Sequence, residues 1–211
     1  VENINVVMKI CLLLCFICSS LNDCALKSIA AFKVGDIILR EGSDLDSLLI
    51  KQVIKDKYTH IGLIISINPL QILHATTNDN QAKQNQVIIS SFNEYISHAK
   101  SVAVRRLNLS QNARENIALD SKKWVGKAFV LESRTFDFSN GDLDSKFKSL
   151  DSKSDVNALY CTTLLESILR KYTNITFKYT YVDFPLFRGY YLLPKAFMEH
   201  SREIFSLDIA R

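Results

Sequence analysis

Apolar residues alternate between two spacings along this chain, and the switches mark its elements. Residues 32–40, FKVGDIILR, open on a Gly35-Asp36 turn and continue as an Ile-rich strand. From residue 45 to 55 the apolar positions Leu45, Leu48, Leu49 and Val53 recur at helical spacing. THIGLIISI, residues 59–67, is a β-branched run that predicts a buried strand. Asn68-Pro69 turns it, and residues 70–75 return as its hairpin partner. A short strand is expected at 87–89 and a short helix at 92–99. SVAVRRL, residues 101–107, alternates and reads as a strand. Residues 110–125 read as a helix capped by Ser110 and followed by Gly126.

Farther on, residues 139–156 are rich in Ser, Asp and Lys and read as a surface loop. Their acidic spacing does not match a calcium-binding EF-hand. Residues 159–172 carry the clearest helical pattern of the second half, and PKAFMEHSREIF predicts a helix started by Pro194. Strand, helix, several antiparallel strands and then helices imply an α+β fold, with helices packed on one antiparallel sheet.

The first thirty residues have a different pattern. Met8-Lys9 precedes an unbroken apolar run, Ile10 to Ile17, and then Cys18, Ser19 and Ser20, which is the form of a secretory signal peptide. The run is shorter than the about 20 apolar residues that a spanning helix needs. Residues 1–24 are therefore read as a signal peptide and short N-terminal segment, and 25–211 as one catalytic domain. An exported chain is expected, periplasmic or extracellular, with a membrane-associated form left open and no stable membrane span in the mature part. Cleavage near Ser20 leaves two of the five cysteines, Cys24 and Cys161. Whether Cys24 stays free, carries a lipid or joins a disulfide is open at this point.

Composition narrows the class. The 211 residues are 47% hydrophobic and 23% charged, which supports a real core in one domain. The net charge of +4 comes from scattered Lys and Arg, which speaks against a nucleic-acid groove. Beyond the apolar leader, in which Cys15 and Cys18 stand at Cys-x-x-Cys spacing, there is no further Cys-x-x-Cys pair, and the chain has no G-x-S-x-G elbow, phosphate loop or dinucleotide fingerprint.

Two residues carry the chemistry. Cys161 begins the helix predicted in LYCTTLLESIL, where free N–H groups and the helix dipole favour a thiolate, so a lowered thiol pKa is expected there. His60 sits on the strand THIGLII, and Gly62 shares its face and leaves room for another group. A neutral imidazole near a thiol forms the Cys–His pair of nucleophilic catalysis. His74 ends the neighbouring strand and, in the proposed hairpin, lies beside His60 as its orienting partner. Two histidines and a cysteine can also bind zinc, but no carboxylate motif stands next to either histidine, so neither a metal nor any other cofactor is assigned.

FKVGDIILR, YTHIGLII, ILHA, LYCTTLLESI and LLPKAFMEHSREIF together resemble the YiiX-like branch of the NlpC superfamily, over residues from about 32 to about 205. The resemblance implies a circularly permuted papain-like fold in which the histidine strand precedes the cysteine helix. It implies Cys161 and His60 as catalytic residues, His74 as the third polar member, and Tyr160, Asp36 and Gly62 as residues that shape the site. It further implies a cysteine peptidase or amidase working through a thiol acyl-enzyme, with a cell-envelope peptide, amide or acylated molecule as substrate. Lipid acyl transfer, and an inactive binding module of the same fold, are the alternatives.

Overall fold

The computed structural model describes residues 31–43, 45–131, 159–184 and 188–209. The expected signal peptide, the state of Cys24 and the polar stretch 139–156 lie outside the described residues. The elements below belong to one compact unit, Lys33–Arg211.

Strand β1 (Asp36–Gly42) is followed by helix α1 (Leu45–Ile54), then by β2 (His60–Ile67), β3 (Leu70–Thr76), β4 (Gln86–Ser91), α2 (Phe92–Ser97) and β5 (Ala99–Leu107). Next come α3 (Gln111–Ser121), α4 (Cys161–Leu169), β6 (Tyr179–Val182), β7 (Gly189–Leu192), α5 (Lys195–Met198) and β8 (Ser201–Asp208). Six strands form a sheet in the order β4-β3-β2-β1-β5-β8, with neighbouring strands antiparallel. β6 and β7 form a separate two-stranded ribbon. The expected α+β class with a large antiparallel sheet is what the chain adopts.

Local chemistry accounts for several boundaries. Ser110 Oγ accepts the Ala113 N–H at 3.2 Å and starts α3. Ser91 and Glu94 form a reciprocal cap that starts α2. Gly35 has φ +82°, in the left-handed region, where a Cβ would stand 2.8 Å from Leu109 Cδ1.

Two expectations in this part of the chain are corrected. The helix at Pro194 lasts only one turn, Lys195–Met198, and the residues after it form β8, which pairs along β5 from Ser101↔Asp208 to Leu107↔Ser201. β8 is largely exposed, and its backbone hydrogen bonds go to a strand about a hundred residues away in sequence. That long-range pairing overrides a pattern that looked helical locally. The ribbon β6–β7 was not foreseen.

The sheet separates two environments because side chains alternate along each strand. Ile37, Leu39, Ile61, Leu63 and Leu73 join the apolar core with Leu164, Leu165 and Ile168 of α4. Ile38, Arg40, His60 and Gly62 alternate with these, with Ile38 paired to Gly62 and Arg40 to His60. One step on from the Leu63↔Leu73 pair, His74 comes opposite Gly62. One face is thus apolar under α4, and the other carries a row of buried polar groups.

Candidate active site

Cys161 is the first residue of α4, so it sits where the backbone N–H groups have no intrahelical partner. The turn before it is fixed by Thr163, whose Oγ1 accepts the Tyr160 N–H at 3.0 Å. The residues on either side of the cysteine are both anchored to Leu192 of β7. Thr162 Oγ1 donates to the Leu192 carbonyl at 2.7 Å, and the Leu192 N–H donates to Tyr160 Oη at 2.9 Å. The ribbon that the sequence reading missed therefore holds the segment around Cys161 in place.

His60 and His74 are both buried, and His60 Nε2 lies 3.0 Å from His74 Nδ1. His74 Nε2 lies 3.0 Å from Ser90 Oγ. Asp79 Oδ2 stands 3.7 Å from His74 Nδ1. Both Asp79 oxygens accept from Arg40, at 2.6 and 3.1 Å. Arg40 also donates to the Tyr95 carbonyl at 3.2 Å and stacks over the Tyr95 ring, 4.9 Å from its centroid. The rings of His60 and His74 lie 5.8 and 5.0 Å from the same Tyr95 ring. Tyr95 is fixed in turn by its hydroxyl, which donates to the Ile38 carbonyl at 3.0 Å.

Gly62 acts through this packing. A Cβ there would fall 2.6 Å from Ile72 Cγ2 and 3.2 Å from Tyr95 Cε2, so the missing side chain is what lets Tyr95 lie against the histidines.

Cys161, His60, Tyr160, Arg40 and Asp79 line one cavity of about 230 Å³. It opens across the ends of β1, β2 and β3. No hydrogen bond joins the Cys161 thiol to the His60 ring in this structure, so the two share a wall without being engaged. Such distances commonly close only when substrate is bound. Asp36 does not line this cavity. It is fully buried under Arg106 and Arg114, with contacts of 2.6 to 3.3 Å, and its Oδ2 accepts the Lys33 N–H at 2.8 Å. That makes it a clamp on the Gly35 turn, remote from the thiol.

Burial sets the protonation states. It pushes the Cys161 thiol up to about 11, against the pull of nearby N–H groups of Ile61, Thr162 and Cys161 itself and of the Arg40 charge. The expected lowering by the helix start is therefore outweighed by desolvation, which the sequence could not reveal. Burial, Arg40 and His74 hold the His60 imidazole well below its usual value. His74 is pushed down to about 3 by burial and Arg40, with Asp79 opposing. Burial alone would raise the Asp79 carboxyl, but the hydrogen bonds and charge of Arg40 hold it well below the usual carboxylate range. At neutral pH the site thus holds a neutral thiol, two neutral imidazoles and one internally neutralised ion pair.

The buried histidines make stability depend on acid. Their folded pKa values lie below the unfolded value of about 6.5, so the unfolded chain binds protons first as pH falls. Stability is complete above about pH 6.5 and is lost below it, by up to about 1.4 kcal/mol per pH unit for each imidazole. Urea midpoints are expected to drop between pH 7 and pH 5, and less steeply in His74→Gln. A midpoint flat across that range would contradict the buried neutral pair.

His60, His74 and Asp79 each offer a ligand atom within 4.8 Å of the others, close enough to surround a metal ion. The atoms are already engaged, however. The two ring nitrogens share one hydrogen bond, and a cation already neutralises the carboxylate. A metal ion there would break the imidazole pair and face the Arg40 guanidinium. The donor set fits a hydrogen-bonded relay better than a metal centre.

No protein-family model matches the chain, and no curated protein matches it. It is similar to a solved structure, the metalloprotein YiiX from Escherichia coli O157:H7, with a TM-score of 0.59 and 17% identity over 83% of this chain and 97% of that one. The chain therefore has a YiiX-like fold. Among the described residues no helix is long and apolar enough to cross a membrane.

Proposed function

We propose that this protein is a thiol-dependent acyl-enzyme former of the permuted papain-like kind, acting on an amide or ester carbonyl. The observation that carries the reading is the shared cavity. A cysteine at a helix start and an imidazole backed by a second buried imidazole line the same wall, in the chain order of strand histidine then helix cysteine.

The mechanism follows from the neutral resting state. In the productive tautomer His60 Nε2–H donates to His74 Nδ1, and His74 Nε2–H donates to Ser90 Oγ. His60 Nδ1 is then bare. It takes the thiol proton as Sγ attacks the carbonyl carbon, and the backbone N–H groups at the start of α4 receive the oxyanion. The imidazolium gives that proton to the leaving amine or alcohol as its bond to carbon breaks. Water enters by the same route in reverse, its proton passing through His60 to the departing thiolate, and the acid is released. His74 fixes the tautomer by accepting the His60 Nε2–H, and the nearby Asp79 carboxylate helps stabilise the transient His60 imidazolium, which keeps its proton until the leaving group takes it.

The similar solved structure is that of a metalloprotein, but in this chain the candidate donors are already engaged with one another and with Arg40, so the mechanism passes through no metal. The export signal read at Met8–Ser20 supports an envelope or extracellular substrate. The reading is tested by whether turnover places an acyl group on Cys161, read by intact mass after a rapid quench.

A further inference from the structure

We infer that Arg40 is the resident cation of the histidine cluster. Its guanidinium takes the role a divalent metal ion would fill, so replacing Arg40 alone turns His60, His74 and Asp79 into a zinc-binding site. This goes beyond the thiol reading and does not depend on it.

The donor set has nearly the shape that zinc takes. Zinc held tetrahedrally by nitrogen and oxygen at about 2.0–2.1 Å puts neighbouring donors roughly 3.3 Å apart. Here His60 Nε2 and His74 Nδ1 are 3.0 Å apart, His74 Nδ1 and Asp79 Oδ2 are 3.7 Å apart, and all three atoms lie within 4.8 Å of one another. His74 Nε2 faces Ser90 Oγ at 3.0 Å, the kind of outer contact that fixes a ligating imidazole. Three such donors with a fourth position open is a common zinc arrangement.

One residue stands against the ion. Arg40 Nη1 donates at 2.6 Å to Asp79 Oδ2, the same oxygen that faces His74, and Nη2 donates to Oδ1 at 3.1 Å. The guanidinium is held there by the Tyr95 carbonyl and ring, and its side chain is only 3% accessible, so it does not swing aside into water. The carboxylate is thereby neutralised by a charge that belongs to the chain, and the imidazoles bond to each other. A divalent ion would meet that fixed positive charge in a buried site, where repulsion is screened little. Without Arg40 the carboxylate is stranded, and a cation is what it then lacks.

The test uses the full chain with zinc chloride, for the parent, Arg40→Met and the milder Arg40→Gln, each with and without His74→Gln. Retained zinc is counted after desalting, and melting is followed in zinc and in EDTA. The other cysteines of the chain are common to every protein, so any zinc they hold cancels. The parent is expected to melt alike in zinc and EDTA. Each Arg40 variant is expected to retain one zinc ion more than the parent and to melt higher in zinc than in EDTA. Its affinity at this site should exceed the parent's by at least about thirtyfold, the repulsion of a divalent ion by one charge about 4 Å away even at the dielectric of water. A variant unfolded in EDTA should regain a cooperative melt in zinc. His74→Gln should abolish these gains. Zinc on the parent that His74→Gln removes, or Arg40 variants that retain no extra zinc or stay unfolded in its presence, would overturn the inference and leave the thiol reading intact. The expected zinc pattern together with ester hydrolysis that survives Cys161→Ala would do the reverse: the role of Arg40 would stand and the thiol mechanism would fail.

Discussion

Replacing Cys161 with alanine is expected to lower kcat/KM by about four orders of magnitude or more, since removing the nucleophile of a covalent mechanism leaves only binding and oxyanion stabilisation. Fold and stability should survive. The side chain is small and sits at a helix start whose geometry is set by Thr163, Tyr160 and Thr162, so the urea midpoint should change by no more than about 1 kcal/mol equivalent. Loss of activity with an intact melt distinguishes a reactive thiol from a packed one. His60→Ala should produce a comparable loss, because the thiol of about 11 is not ionised at neutral pH and needs a base during attack. The same protonation state makes alkylation of Cys161 slow at pH 7 and steadily faster as pH rises through the alkaline range.

The second large effect concerns stability. Arg40→Met is expected to destabilise the protein by about 3–5 kcal/mol, since it leaves the Asp79 carboxylate buried without its partner. The side chains of Arg40 and Asp79 are only 3% and 9% accessible, so water cannot take over the lost contacts. The same substitution removes the guanidinium from the Tyr95 ring and carbonyl, loosening the ring against which both histidines pack. The double variant Arg40→Met/Asp79→Leu should recover much of the loss, because neither charge is then stranded. Equilibrium urea unfolding of the three proteins checks this. A single variant as stable as the parent would mean that the pair is solvated and plays no part in holding the site.

Much of the site was legible in local sequence. THIGLII announces a buried strand whose histidine and glycine share a face, and LYCTTLLESI announces a helix that begins at a cysteine. Both readings needed only periodicity and side-chain chemistry, and Ser110 and Gly35 marked boundaries in the same local way. Asp79 and Arg40 stayed hidden for a different reason. Asp79 lies in a TTNDN stretch that reads as an ordinary polar turn, and Arg40 lies within a strand 39 residues earlier, so nothing local links them. Tyr95 likewise looks like one aromatic residue of a short helix until the sheet brings it beneath both imidazoles.

β8 and the ribbon were missed because their hydrogen bonds are tertiary, made to β5 and between two short segments in the tail. The thiol was misjudged through burial. A helix start can be read from sequence, whereas the desolvation that outweighs it depends on everything folded around the residue. Asp36 shows the converse, a residue placed near the site by resemblance that the fold instead commits to the arginines clamping a turn.

The central claim is that one turnover passes through a covalent acyl group on Cys161. Mixing the protein with excess p-nitrophenyl octanoate, quenching in acid within the first turnover and measuring intact mass tests it most directly. The account predicts an added octanoyl group in the parent protein, mapped to the peptide containing Cys161, absent from Cys161→Ala and strongly reduced in His60→Ala. Hydrolysis that proceeds with no adduct on Cys161, or an adduct that persists in Cys161→Ala, would contradict it.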